Sequence, residues 1–297
     1  MTSVDPAVKT VPAVTPSAAD PHVPVVRKQR SVLVAFSYVW LGLLILAAIL
    51  APLLPIAPFD AAAGPPRESL QLGSIDLLLG TDQLGRSLLS RIINGAQVSL
   101  VVGAVAGLVG AVVGGVLGMV AGYLGGRVDS VIRLLADAML AFPPLILLLA
   151  LAAVLTPSVS TILIGLSLLV IPTFIRLARA NTLAWASREF VTAARNVGAG
   201  SGRILFREIL PNLLPTLGAY LPIVMAALIV AEGSLSFLGM GIPPPTPSWG
   251  GMISDGKDSI GDYPHMVFVP SFFIFCTVFA LNQAGDHLRR RFDRGLS

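Results

Sequence analysis

The chain has 297 residues, 55% of them hydrophobic and 12% charged, with a mean hydropathy of +0.82 and a formal net charge of +4. A water-soluble domain carries roughly a quarter charged residues, so this composition excludes one and sets most of the chain where charge is expensive. The single cysteine, Cys276, excludes an internal disulfide framework and, inside an apolar run, reads as a small packing residue.

Residues 1–30 read as a disordered, basic, cytoplasmic tail. They are rich in Pro, Ala, Val, Thr and Ser without periodicity, and end on Arg27-Lys28-Gln29-Arg30. Residues 31–297 read as one membrane domain. About 20 apolar residues cross the hydrocarbon, and six runs qualify: 32–57, 98–124, 134–155, 158–175, 213–231 and 266–281. The first is too long for a signal-peptide core, and no small-residue cleavage site follows it cleanly.

Cytoplasmic loops carry the excess of Lys and Arg. With the N-terminus in the cytoplasm, only Arg67, Arg86, Arg91 and Lys257 fall outside, interspersed with Asp60, Glu68, Asp76, Asp82, Asp255, Asp258 and Asp262. The expectation is six spans with both termini cytoplasmic. This asymmetry accounts for the basicity without nucleic acid. In the second span, Gly103, Gly107, Gly110, Gly114, Gly118 and Gly122 recur every three or four residues, a ridge suited to close helix packing. A substrate path could share that surface.

The segment between the fourth and fifth spans, placed at 182–212, is longer than a helix-to-helix connection needs. Ser187 is the expected N-cap of a helix whose apolar face is Phe190, Ala193, Ala194 and Val197, and Gly198 and Gly200 end it in a sharp turn. A second helix from about Ser201 carries Ile204, Leu205 and Ile209 into Pro211. Such a helix-turn-helix knob suits a groove on a soluble partner, or lies on anionic lipid.

This stretch resembles the "EAA" coupling loop of ATP-binding-cassette import permeases. Glu189, Ala193, Ala194, Gly198, Ile204, Leu210 and Pro211 stand in register, with Arg195 beside them, and Glu208 departs from the His of many relatives. Leu79-Gly80-Thr81-Asp82-Gln83-Leu84-Gly85-Arg86 and Gly95-Ala96-Gln97-Val98-Ser99-Leu100 resemble the dipeptide, oligopeptide and nickel permeases. There Ser87 and Gln97 replace the usual Asp and Arg. Gly122-Tyr123-Leu124-Gly125-Gly126-Arg127-Val128-Asp129, Glu232-Gly233-Ser234-Leu235-Ser236-Phe237-Leu238-Gly239, Trp249-Gly250 and Leu281-Asn282 extend the match over about residues 30–294.

The resemblance implies an all-α membrane protein with the type I importer permease fold, in a bacterial inner membrane. Its implied partners are a second, similar permease subunit, two cytosolic ATPase subunits that use ATP and Mg, and an extracytoplasmic binding protein. The chain itself needs no cofactor. The implied motion is alternating access, with the loop as lever.

Asp129, Arg133 and Asp137 lie four residues apart and read as ion pairs along one helix, or as an ion relay. Glu232 and the Pro-rich 243–251 segment form either a gate over the path or a re-entrant anchor. No Gly-x-x-x-x-Gly-Lys-Ser/Thr cradle is present, so ATP hydrolysis falls to another subunit. His22, His265 and His287 lack metal-ligand spacing and read as solvated. A secondary transporter needs a coupling acid at mid-membrane, and an enzyme needs a nucleophile–base pair or metal cluster; neither is found. A bare metal ion would require His, Cys or carboxylate ligands in the path, so short peptides are the favoured substrate, with glutathione or chelated nickel as alternatives.

Overall fold

The computed structural model describes residues 30–156 and 158–293, and the expected tail lies outside them. Its elements are helical: α1 (Arg30–Leu50), α2 (Leu88–Leu124), α3 (Gly126–Ala141), α4 (Pro144–Val154), α5 (Val159–Ala186), α6 (Glu189–Asn196), α7 (Ser201–Arg203), α8 (Leu210–Phe237), α9 (Trp249–Gly256) and α10 (His265–Asp293). Five stretches are long and apolar enough to cross a membrane: Val32–Leu53, Leu88–Leu124, Val159–Ala186, Ser201–Phe237 and His265–Phe292. The pair α3 and α4, bent by 85°, meets the same criterion only when taken together, and counted as one broken span it gives the sixth.

The third span therefore departs from the single rod expected over 134–155. Phe142 precedes two prolines and is extended (φ −80°, ψ 130°), because Pro Cδ crowds the preceding residue out of the helical region. The helix breaks there and restarts at Pro144. Most other spans outrun their apolar cores. α2 has 37 residues, roughly 55 Å at 1.5 Å per residue, against about 30 Å of hydrocarbon. It starts at Ser87, whose hydroxyl accepts from Ser90 N at 3.3 Å, and α5 continues eleven residues past the expected end at Ile175.

The glycine ridge of α2 is a packing seam, and it turns as it descends. A methyl group on Gly107 would meet Leu221 Cδ1 of α8 at 3.0 Å. On Gly114 it would meet Ile171 O of α5 at 2.5 Å, and on Gly122 Arg179 O at 2.8 Å. The upper glycines thus admit α8 and the lower ones admit α5 at backbone contact, as small residues do in membrane helix pairs. Phe174, Leu166, Ile204 and Leu213 fill the core between α2, α5 and α8. A second core joins Ile92, Ala96, Ile229 and Trp249 to α1 and α10, where Trp40 Nε1 donates to Thr277 Oγ1 at 3.1 Å. Cys276 is buried, as a packing residue should be.

Ser201 and Ser69 are both exposed on opposite sides of the expected membrane. In a Cys276→Ala background, Ser201→Cys is expected to react with an impermeant thiol reagent only from the cytoplasm, and Ser69→Cys only from outside. Labelling of both from one face would overturn the orientation.

Candidate functional site

The 182–212 segment folds into a knob set between the ends of two spans. Ser187 is not the N-cap of α6. Helix α5 runs through Ala186 and takes Ser187 as its own C-terminal residue, with Oγ donating to Ala184 O at 3.0 Å. The cap falls to Arg188, in extended backbone, whose carbonyl accepts from Val191 N and Thr192 N at 3.1 and 3.2 Å. Glu189 in the first turn and Arg195 in the last complement the helix dipole.

Gly198 has φ +83°. Its N–H donates to Arg195 O at 2.9 Å, and Ala199 N donates to Ala194 O at 3.0 Å. These two bonds close a Schellman motif, which satisfies the last carbonyls of α6 and reverses the chain. Gly200 has an ordinary φ of −69°, so only Gly198 does the turning. α7 then leads into a single wide π turn, Ile204–Ile209, which merges with α8. The expected second helix is thus the cytoplasmic end of the fifth span. The wide turn also accommodates Pro211, which lacks an N–H and crowds the carbonyl four residues back.

The inward face of α6 is rotated from the expected one. Val191 is fully buried and Ala194 half-buried, while Phe190, Ala193 and Val197 are exposed. Val191, missed in the sequence, sits one residue from the predicted stripe, and an eight-residue helix gives too few turns to fix its phase. Ile204 is fully buried beneath it and Leu210 partly buried. Glu189, Ala193, Arg195, Gly198 and Pro211 remain on the surface. Arg195 lies over the Tyr123 ring at 5.0 Å and Arg188 over Trp185 at 5.5 Å. The knob therefore presents a small exposed face that includes Phe190, Ala193 and Val197, on a buried apolar base.

The ion pairs of the third span differ from those expected. Asp129 binds Arg179 of α5 through two bonds, Nε to Oδ1 and NH2 to Oδ2, the latter at 2.7 Å. Asp137 accepts from Arg176 at 2.7 Å. The partners lie on another helix because the glycine seam brings α5 alongside; Arg133 is not needed to bridge them.

At the other end, Asp82 accepts from Leu84 N, Arg86 N and Arg86 Nε at 2.8, 3.0 and 2.6 Å. Arg91 lies 3.4 Å from both Asp82 and Asp255. Partial burial raises the Asp255 carboxyl above its usual range, and Arg91 and Arg86 oppose that. The Gly-Thr-Asp motif thus ties the 54–87 loop to α9. Helix α9 packs inward, with Trp249 fully buried and its Nε1 donating to Ile92 O at 3.1 Å. Glu232 is also buried, and Oε1 accepts from Ser236 Oγ at 2.7 Å. His265 lies near Thr81 O at 3.4 Å and His287 Nδ1 3.0 Å from Tyr38 Oη; His22 lies outside the described residues. Among the described residues no three metal-ligating side chains come together.

Residues 114–297 match the family model described as the binding-protein-dependent transport system inner membrane component. The glutathione transport system permease protein GsiD of Salmonella paratyphi A is 40% identical over 268 residues, 90% of this chain and 87% of its own. GsiD of Escherichia coli O6:K15:H31 is 38% identical over the same shares. A chain from the inward-facing MetNI methionine ABC transporter has the same fold at TM-score 0.57 and 18% identity, covering 68% of this chain and 96% of that one. Membership brings ATPase and substrate-binding partners. With its five to six apolar spans and these relatives, the chain belongs to the binding-protein-dependent transport system inner membrane components, as a multi-pass permease subunit of an ABC importer.

Proposed function

We propose that this subunit forms half of a translocation path for short peptides, glutathione among them, beside a second, similar permease. The 189–200 knob couples that path to two cytosolic ATPase subunits, which supply ATP and Mg chemistry that this chain lacks. The observation that carries the coupling role is the Schellman-closed α6, seated on buried Val191 and Ile204 and set two residues after α5 and one short turn before the helical run that leads into α8. A groove that grips the knob moves both helices at once, because Val191 and Ile204 bury the knob against their cytoplasmic ends. Closure of the ATPases opens the path outward, and hydrolysis restores the inward-facing state.

The substrate class rests on the relatives' glutathione transport and on the chemistry of the path. Glutathione is a tripeptide, so relatives and the peptide reading agree in kind. Weakly polar small residues and Ser/Thr tolerate varied peptides, whereas a bare metal ion demands His, Cys or carboxylate ligands. The test is a deletion strain grown on glutathione and on defined di- to pentapeptides as sole source of a required amino acid, alongside labelled nickel uptake. Peptide use is expected to fail and nickel uptake to persist. Unchanged peptide use with lost nickel uptake would reverse the assignment.

A further inference from the structure

Helix α3 is built as a strut with a joint at each end. At its start Gly125 and Gly126 both have positive φ, +63° and +55°, and a side chain at either would meet nothing within 4 Å. Two successive left-handed residues in open space form a joint that only glycine adopts readily. At its end Phe142 and Pro143 are extended and the chain turns by 85° into α4. Along its own length α3 has little apolar purchase: Ala136 is its one buried residue, and Val131, Leu134 and Leu135 are exposed.

What holds the strut is charge. Asp129 is forked by Arg179, and Asp137 is held by Arg176. Both arginines lie on α5, within 13 residues of the knob helix at Glu189. Paired bonds between a guanidinium and a carboxylate fix orientation as well as distance. The Asp129–Arg179 pair is also the better shielded, at 15% and 26% side-chain exposure against 49% and 58% for Asp137–Arg176. Exposed pairs contribute little, so the grip concentrates at Asp129. Arg195 of the knob covers Tyr123, two residues before the first joint. The corner between α2 and α3 is thereby held by the knob on one side and by α5 on the other.

We infer that Arg179 and Asp129 are positioning residues of the transport cycle: they clamp α3 to α5, so that displacement of the knob carries the third span with it. The apolar seams already make α2 and α8 follow α5. Only α3 is left to a polar link between two joints, and without that link it could stay behind while α5 moves. The inference rests on the knob being the ATPase contact.

The test uses the whole complex, with its second permease, ATPases and binding protein, in proteoliposomes. Asp129→Ala and Arg179→Ala are each expected to raise ATP hydrolysed per glutathione imported by about tenfold, within the range that residues along a coupling route exert. ATPase co-purification should stay unchanged. The swap of Asp129→Arg with Arg179→Asp is expected to recover part of the coupling. Normal stoichiometry in the single variants would overturn the clamp while leaving the knob intact. A knob variant that still binds its ATPases would instead sink the reading beneath it. A second measurement does not depend on the single variants folding. In a Cys276→Ala background, Asp129→Cys with Arg179→Cys is joined by a short, reducible bis-thiol cross-linker. Since the two helices move as one, cross-linking is expected to restore the coupling that the reduced double-cysteine variant lacks. Loss of transport on cross-linking, restored by reduction, would show that α3 must slide on α5 and would refute the clamp.

Discussion

Gly114→Ala is expected to deplete the folded subunit from the membrane. The added methyl would lie 2.5 Å from Ile171 O, 2.8 Å from Phe174 Cβ and 3.1 Å from Ile175 N. Two of these atoms are backbone of α5 and cannot swing aside, so the helices must separate along the seam. Overpacking a well-filled core costs about 1–3 kcal/mol, and a shift of backbone against backbone belongs at the upper end. Separation also loosens Gly110, Gly118 and Gly122, which face the same helix. Gly42 of α1 has nothing within 4 Å of a notional Cβ, so Gly42→Ala is the matched control and should leave membrane levels unchanged. The measurement is the amount of subunit in purified membranes, with thermal unfolding in detergent. Equal levels and equal Tm for the Gly114 and Gly42 variants would remove the seam as a structural element.

Features with a local physical signature were legible in the sequence. Apolar length marked the spans, charge asymmetry gave the expected sides, and the glycine of the knob announced its own φ. The seam was visible as a spacing, but not its partner, since a ridge does not say which helix lies on it. What escaped depends on contacts distant along the chain. Asp129 and Arg133 stand four apart and invite a pair, yet Arg179, fifty residues away, holds Asp129. The break at Phe142 had a local signal in Pro143-Pro144, overridden by the continuous apolar run around it. Ser187 looked like a cap because Ser is favoured there, but α5 extends far enough to claim it. Val191 turned inward because Ile204 and Leu205 lie beneath α6, which no single eight-residue helix can foretell.

Substitution of Gly198 tests whether the turn itself is the functional element. At φ +83° a residue with a side chain is strained by about 1–2 kcal/mol, and a β-branched one by more, because its γ atoms also crowd the backbone. No atom lies within 4 Å of a Cβ placed there, so the effect is conformational and local. Gly198→Val should therefore insert and accumulate normally. The strain falls on the two bonds that close the motif, Gly198 N to Arg195 O and Ala199 N to Ala194 O. Their loss is expected to free the end of α6 and turn the Phe190 and Val197 face away from the proposed ATPase contact. Asn accepts left-handed backbone better than other side chains, which orders the series. ATPase co-purification and binding-protein-stimulated hydrolysis should fall little in Gly198→Asn, further in Gly198→Ala, and by about tenfold or more in Gly198→Val, since each 1.4 kcal/mol is tenfold in an equilibrium. A flat series, with full ATPase recovery in the valine variant, would mean that the partner does not grip this turn.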